Sequence, residues 1–193
     1  MGYEWHVFVS YRRTGNVRDW VHNHFYDMLR RALEDHLPQE PRIFLDRRIE
    51  VGTPWGDGLE QALLRSRLLV PIWNPPYFQS RWCLAEWRTM RAREVQLREA
   101  GMTAPLTYPI RFSDGDAFPA EARGIQQEMC FKQWNVPYPQ FAESAAYLDL
   151  HEAVGQLAER LAARLAQAPP WREDWPVERP EPAAAGPSEL PRL

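Results

Sequence analysis

The chain has 193 residues and a formal net charge of −3 at pH 7, which suits a single domain with a sizeable core. This charge argues against general binding to nucleic acid or to acidic membranes. Neither the two cysteines nor the five histidines show metal-ligand spacing or a disulfide framework, so no metal site is expected. No apolar run is long enough for a bilayer and no secretion signal precedes the first strand-like segment, so a cytoplasmic protein is expected.

Strand-like and helix-like segments alternate in the first half of the chain. Short runs rich in β-branched and aromatic residues predict three strands: His6–Tyr11, Arg42–Leu45 and Leu68–Trp73. Helical spacing of apolar residues predicts a helix between each pair, one from a capping Asn16 to about His36 and a shorter one beginning at Thr53-Pro54. A polar loop, residues 47–52, separates the second strand from the short helix.

The segment Ser80–Glu86 opens a longer helix that runs to about Glu99. Ser80 is a suitable N-cap, because its hydroxyl can accept a hydrogen bond from an amide of the first turn. At about 100° per residue one apolar stripe is predicted to face the core: Cys83, Trp87, Met90 and Leu97. Glu86 falls beside this stripe, on the border between core and water, and Trp82 lies next to it one turn earlier.

The second half of the chain gives weaker signals. A fourth strand is predicted at Leu106–Ile110, at the edge of the sheet because of its prolines, and a fifth at Met129–Trp134. Between them the chain is expected to be irregular, with a short helix near residues 120–127. An amphipathic last helix is predicted over Tyr147–Leu165. Residues 169–193 hold seven prolines and little that could pack, so they are predicted to form a disordered or extended tail after a domain of residues 1–168.

This alternation predicts an α/β domain with a parallel sheet and helices on both faces. Ligands of such sheets bind beyond the carboxyl ends of the strands. Three polar or aromatic groups are expected to meet there: Tyr11-Arg12-Arg13, Asp46 with its loop, and Trp82 with Glu86. Because these groups converge, Glu86 is interpreted as a functional residue.

Three segments, in order, resemble the motifs of TIR (Toll/interleukin-1 receptor homology) domains over about Trp5 to Leu165. Phe8–Arg13 resembles the first box, and Ile43–Asp46 with Gly52 resembles the second strand and the BB loop. Tyr77–Glu86 resembles the run that holds the catalytic glutamate of TIR domains that cleave NAD+. The resemblance implies an open five-stranded parallel sheet, in a stand-alone bacterial TIR domain.

The resemblance also implies a catalytic Glu86, with NAD+ as substrate and no cofactor. The nicotinamide of NAD+ is already cationic and can leave without a general acid, so a single carboxylate has only to stabilise the oxocarbenium character of the ribose. Tyr11 and Trp82 are predicted to wall the nicotinamide or ribose, and Arg12 and Arg13 to meet phosphates or a neighbouring protomer. The substrate-binding residues implied are Ser10, Tyr11, Arg12, Arg13, Asp46, Glu50, Gly52 and Trp82.

Two functions stay open. The first is an NAD+ glycohydrolase or ADP-ribosyl cyclase of bacterial antiphage immunity, activated when protomers assemble head to tail through the BB loop and working with a separate sensor or effector. The second is a non-catalytic scaffold that signals through TIR–TIR contacts. The presence of Glu86 four residues after Trp82 favours the enzyme. Local backbone hydrogen bonding remains an equally simple interpretation of Ser10 and Asp46, as packing is of Trp82.

Overall fold

The computed structural model describes residues 2–45, 57–125 and 129–180 of the chain. Five parallel strands form one open sheet in the order β2–β1–β3–β4–β5. The strands are Trp5–Ser10 (β1), Ile43–Leu45 (β2), Ser66–Trp73 (β3), Ile110–Arg111 (β4) and Met129–Cys130 (β5). This confirms the predicted α/β class and the five-stranded parallel sheet, although β4 and β5 are shorter than expected.

The helices that cover the sheet lie close to their predicted positions. They are Asn16–Trp20 (α1), Tyr26–Glu34 (α2), Asp57–Leu64 (α3), Pro75–Phe78 (α4), Arg81–Glu99 (α5), Ala120–Arg123 (α6) and Ala146–Ala166 (α7). A π-helical turn, Val21–Phe25, joins α1 to α2, so the first predicted helix is continuous. Its N-cap is Gly15, at φ 73°, where glycine is favoured, and not Asn16, which is the first helical residue. Among the described residues no helix is long and apolar enough to cross a membrane.

Helix α5 follows the predicted pattern closely. Ser80 is its N-cap, and the Ser80 hydroxyl accepts a hydrogen bond from the Cys83 amide at 3.4 Å. The predicted stripe is buried against the sheet and the other helices: Cys83, Trp87, Met90 and Leu97. The stripe therefore fixes the rotation of α5 about its axis, and with it the direction of Glu86.

The prediction that the fourth strand forms an edge is wrong, because β4 lies between β3 and β5. Pro105 and Pro109 have no amide hydrogen, so regular pairing is limited to two residues of β4. The preceding amides find other acceptors: those of Leu106 and Thr107 both donate to the carboxylate of Glu94 on α5, at 2.8 and 2.9 Å. A buried side chain thus accepts hydrogen bonds from two amides between the prolines, so these amides are satisfied although the strand lies inside the sheet.

Residues 169–180, called here the C-terminal segment, contain no helix or strand but pack on the domain. The Trp171 indole donates to the Leu64 carbonyl at 3.3 Å, and Trp175 is buried. The Glu178 amide donates to the Thr89 hydroxyl on α5 at 2.9 Å. This part of the chain therefore packs more than its proline content indicates, because its two tryptophans supply the apolar surface that its prolines lack.

Candidate functional site

Strand β1 brings Ser10 to the carboxyl end of the sheet, beside β3, where Ser10 pairs with Pro71. In the strand order β2–β1–β3–β4 the chain leaves β1 toward β2 and leaves β3 toward β4, in opposite directions, so the carboxyl end between β1 and β3 is a topological switch point. Ser10 is buried, and its hydroxyl donates to Oε2 of Glu86 at 2.6 Å. The residue that ends the first strand is thus joined directly to the predicted catalytic carboxylate.

Glu86 lies on the second turn of α5 and is only 3% exposed, so it is more deeply placed than the expected border between core and water. Nη2 of Arg13 lies 3.7 Å from its other oxygen, Oε1. The Arg13 side chain itself is 30% exposed. The carboxylate therefore has a hydroxyl donor on one oxygen and a partly solvated cation near the other, an arrangement that holds a charge in a fixed place.

Tyr77 completes the site, and no pattern in the sequence indicated a role for it. The Asn74 side chain caps α4 by accepting the Tyr77 amide hydrogen at 3.0 Å, and the Tyr77 ring is fully buried. Its hydroxyl lies 2.9 Å from Oγ of Ser10 and donates to the Cys83 carbonyl at 3.1 Å. Burial raises the pKa of Tyr77 well above its ordinary value, so the hydroxyl keeps its hydrogen. The sequence marked Tyr77 only as the first residue of the Tyr77–Glu86 motif and as a residue that follows two prolines.

Tyr11 is buried where the chain leaves β1, and its hydroxyl lies 2.9 Å from Nε2 of His22. The Tyr11 ring packs edge-on against the ring of His22, with centroids 5.9 Å apart. His22 belongs to the π-helical turn. Its role as a wall of the substrate site stays a prediction, and this burial counts against it. His22 is a neighbour that helical periodicity did not indicate.

Trp82 lies half-buried on the first turn of α5, four residues before Glu86, with the Arg81 guanidinium 5.3 Å from the centre of its ring. Arg12 is half-buried beside Arg13 in the turn after β1. Both Trp82 and Arg12 are therefore near the carboxyl end of the sheet, and their contacts with substrate stay predictions. Cys83 is buried, and burial, with the nearby charge of Glu86, raises its pKa to about 12.

The predicted site residues of the BB loop, Asp46, Glu50 and Gly52, lie outside the described residues, as does the expected helix start at Thr53-Pro54. Within the described ranges no group of three or more histidine, cysteine, aspartate or glutamate side chains could hold a metal ion. The chemistry available from the described part of the site is accordingly that of Glu86, Ser10, Tyr77 and Arg13.

Fold and site together define an open parallel α/β domain with a buried carboxylate at its topological switch point. The sequence model of the TIR domain matches residues 7–152. This match spans most of the chain, and the chain therefore belongs to the TIR domain family. A search of curated proteins finds no match.

Two solved structures of TIR domains are similar to this chain. The TIR domain of the Toll-related receptor TRR-2 from Hydra magnipapillata is 16% identical, with a TM-score of 0.47, over 78% of this chain and 98% of that one. The TIR domains of the activated Roq1 resistosome, which directly recognises the pathogen effector XopQ, are 19% identical, with a TM-score of 0.39, over 84% of each chain.

Proposed function

We propose that this TIR domain is an enzyme that breaks the bond between nicotinamide and ribose in NAD+. The observation that carries the proposal is the placement of Glu86. Its carboxylate is held by Ser10 at 2.6 Å, at the switch point where ligands of such sheets bind. A buried carboxylate acts through little water, so it interacts more strongly with a developing positive charge on a bound substrate than an exposed carboxylate would.

The reaction needs no general acid from the protein, because the leaving group is already cationic in NAD+. Nicotinamide leaves as a neutral ring once the bond breaks, and the ribose left behind carries oxocarbenium character. Glu86 stabilises that charge, and its fixed position means that no reorganisation is needed when the charge appears. A water molecule then gives ADP-ribose, whereas a nucleophile within the substrate gives a cyclic product. Trp82 and Tyr11 are proposed to contact the nicotinamide or ribose, and Arg12 to contact the phosphates.

Activity is proposed to depend on self-assembly in the cytoplasm, with the BB loop of one protomer completing the site of the next. Asp46, Glu50 and Gly52 belong to this loop and are proposed to act there. A role in bacterial antiphage immunity, with a separate sensor or effector, belongs to the same proposal. An arginine-rich, lysine-poor composition fits a GC-rich bacterial source.

A second candidate is an interaction module without catalysis. The pairing of Glu86 favours it, because Ser10 and Arg13 already neighbour the two carboxylate oxygens. A carboxylate satisfied in this way can serve simply to tie β1 to α5. The enzyme therefore predicts that removing the charge of Glu86 abolishes NAD+ cleavage. The interaction module predicts no NAD+ cleavage with or without this charge.

The test is loss of NAD+, with mass analysis of the products, for the wild type and Glu86→Gln under crowding that promotes assembly. The matched control is Glu94→Gln, the same change at a second buried glutamate two turns along α5. We expect turnover in the wild type and the control, and a loss of about a hundredfold or more in Glu86→Gln. If folded, self-associated wild-type protein leaves NAD+ intact, the interaction module is the correct function.

A further inference from the structure

The hydroxyl of Tyr77 contacts two elements that carry the site. It lies 2.9 Å from Ser10 at the end of β1 and 3.1 Å from the carbonyl of Cys83 in the first turn of α5. Tyr77 itself belongs to the short helix α4. One side chain therefore links the strand that holds Ser10 to the helix that holds Glu86.

The number of hydrogens in this network is limited. An ionised Glu86 can only accept, so the Ser10 hydroxyl must donate its single hydrogen to the carboxylate. Ser10 then has no hydrogen left for Tyr77, and its oxygen can only accept from the tyrosine. Tyr77 has one hydrogen for two acceptors, Oγ of Ser10 and the Cys83 carbonyl, both within hydrogen-bond distance. Tyr77 is thus the first donor in a series of hydrogen bonds that runs through Ser10 to Glu86.

We propose that Tyr77 is a positioning residue for Glu86, acting through Ser10. This inference rests on the proposed function, since it assigns Tyr77 to the reaction that Glu86 serves. By sharing its one hydrogen between the Cys83 carbonyl and Oγ of Ser10, Tyr77 orients the serine hydrogen toward Oε2 of Glu86 and strengthens that donor. A carboxylate that must face a transient charge depends on such support, because displacement by a fraction of an ångström weakens the interaction.

The variant that tests this is Tyr77→Phe, which keeps the buried ring and removes only the hydroxyl. It is compared with Ser10→Ala and with the double variant. Ser66→Ala is the control, because Ser66 is also buried but lies at the opposite, amino end of β3, where its hydroxyl donates to Ala62. The readouts are kcat and KM for NAD+ under assembling conditions and the melting temperature of each protein. Replacement of Tyr77 by 4-aminophenylalanine restores a donor at the same place, with two hydrogens for the two acceptors.

We expect Tyr77→Phe to lower kcat about tenfold, with KM changed less than about twofold. The double variant should be no slower than Ser10→Ala, because Tyr77 acts through Ser10. The 4-aminophenylalanine protein should recover most of the lost kcat, and Ser66→Ala should retain the wild-type value.

Wild-type kcat in Tyr77→Phe would overturn the proposal while leaving the proposed function intact. Losses that add in the double variant would overturn it as well, because independent effects mean that Tyr77 does not act through Ser10. If Tyr77→Phe does not fold, the 4-aminophenylalanine protein decides, since less than a tenth of wild-type kcat in that folded protein contradicts the proposal. Absence of turnover in assembled wild type overturns both the proposed function and this inference, and the wild-type measurement alone reveals that case.

Discussion

The guanidinium carbon of Arg93 lies 5.7 Å from the centre of the Trp175 ring, so the C-terminal segment closes over a buried cation on α5. Arg93 donates to the carbonyls of Leu63 and Ser66, at 3.1 and 3.4 Å. Burial lowers the pKa of Arg93 to about 10. A cation in this position gains from an aromatic face because water no longer solvates it. The contact gives the C-terminal segment a specific reason to stay in place.

Replacing Trp175 by alanine is therefore expected to lower the free energy of unfolding by about 3 kcal/mol, the usual cost of truncating a buried aromatic side chain. Urea unfolding followed by circular dichroism measures it. Arg172→Ala is the control, because its guanidinium also lies near the Trp175 ring, at 5.4 Å, but is exposed. This control should leave the unfolding midpoint almost unchanged. Equal midpoints for the wild type and Trp175→Ala would mean that the segment contributes nothing to stability.

The two cysteines should differ in reactivity. Cys83 is buried with a pKa of about 12, so at pH 8 roughly one molecule in 10,000 carries its thiolate. Cys130 is exposed, with Nε of Arg111 at 3.3 Å from its sulfur. We expect a disulfide reagent to modify one thiol per native chain quickly and the second only after urea is added. The variant Cys130→Ser should lose the fast phase, and fast labelling of that variant would contradict the burial of Cys83.

Much of the fold follows from local patterns in the sequence. The Ser80 cap and the stripe that includes Trp87 were predicted correctly, because a cap needs three neighbouring residues and a stripe needs only the helical period. The position of β4 was not, since the carboxylate that satisfies its amides belongs to Glu94, on another element. The packing of Trp175 was missed because proline content outweighed two tryptophans in the interpretation of that segment.

In the candidate site, too, single residues could be predicted from local patterns but contacts between different elements could not. The motifs indicated Glu86 and Ser10, whose roles stay predictions, but not the hydrogen bond between them. That contact joins residues 76 positions apart and depends on how β1 and α5 pack. Tyr77 was missed because its neighbours, Ser10 and Cys83, lie on two different elements. The spacing of residues within one helix or strand does not predict contacts between different elements, so these contacts are seen only in the folded structure.

The stability of the domain is expected to fall as the pH drops below about 6.5, in part because of His24. This ring is buried between Phe141 and Tyr147, and its Nδ1 has no hydrogen-bond partner among the described residues. Burial lowers the pKa of His24, although nearby backbone carbonyls act in the opposite direction. The unfolded chain therefore binds its proton first, so the contribution is complete above the unfolded pKa and is lost as the pH falls toward the folded value.

Urea unfolding at pH 7.5, 6.5 and 5.5 measures this effect, and His24→Gln should show a weaker pH dependence than the wild type. His6 is the control position, because burial also lowers its pKa while its Nδ1 accepts the Arg42 amide. His6→Gln should remove only the contribution of His6, so the part of the pH dependence that comes from His24 should remain. A pH dependence in His24→Gln that equals that of the wild type would assign the effect to other groups.

The contact between Arg13 and Glu86 predicts that NAD+ cleavage depends on the side chain of Arg13. Nη2 of Arg13 lies 3.7 Å from Oε1 of Glu86, so the guanidinium helps to hold the carboxylate in place. In Arg13→Gln kcat should fall by roughly threefold, a small effect because the arginine is partly solvated. Arg12→Gln is the comparison, and its main effect should be a higher KM if Arg12 contacts the phosphates. The measurement is kcat and KM for NAD+ under assembling conditions. A rise in KM alone in Arg13→Gln, with an unchanged kcat, would show that Arg13 binds substrate and does not act on Glu86.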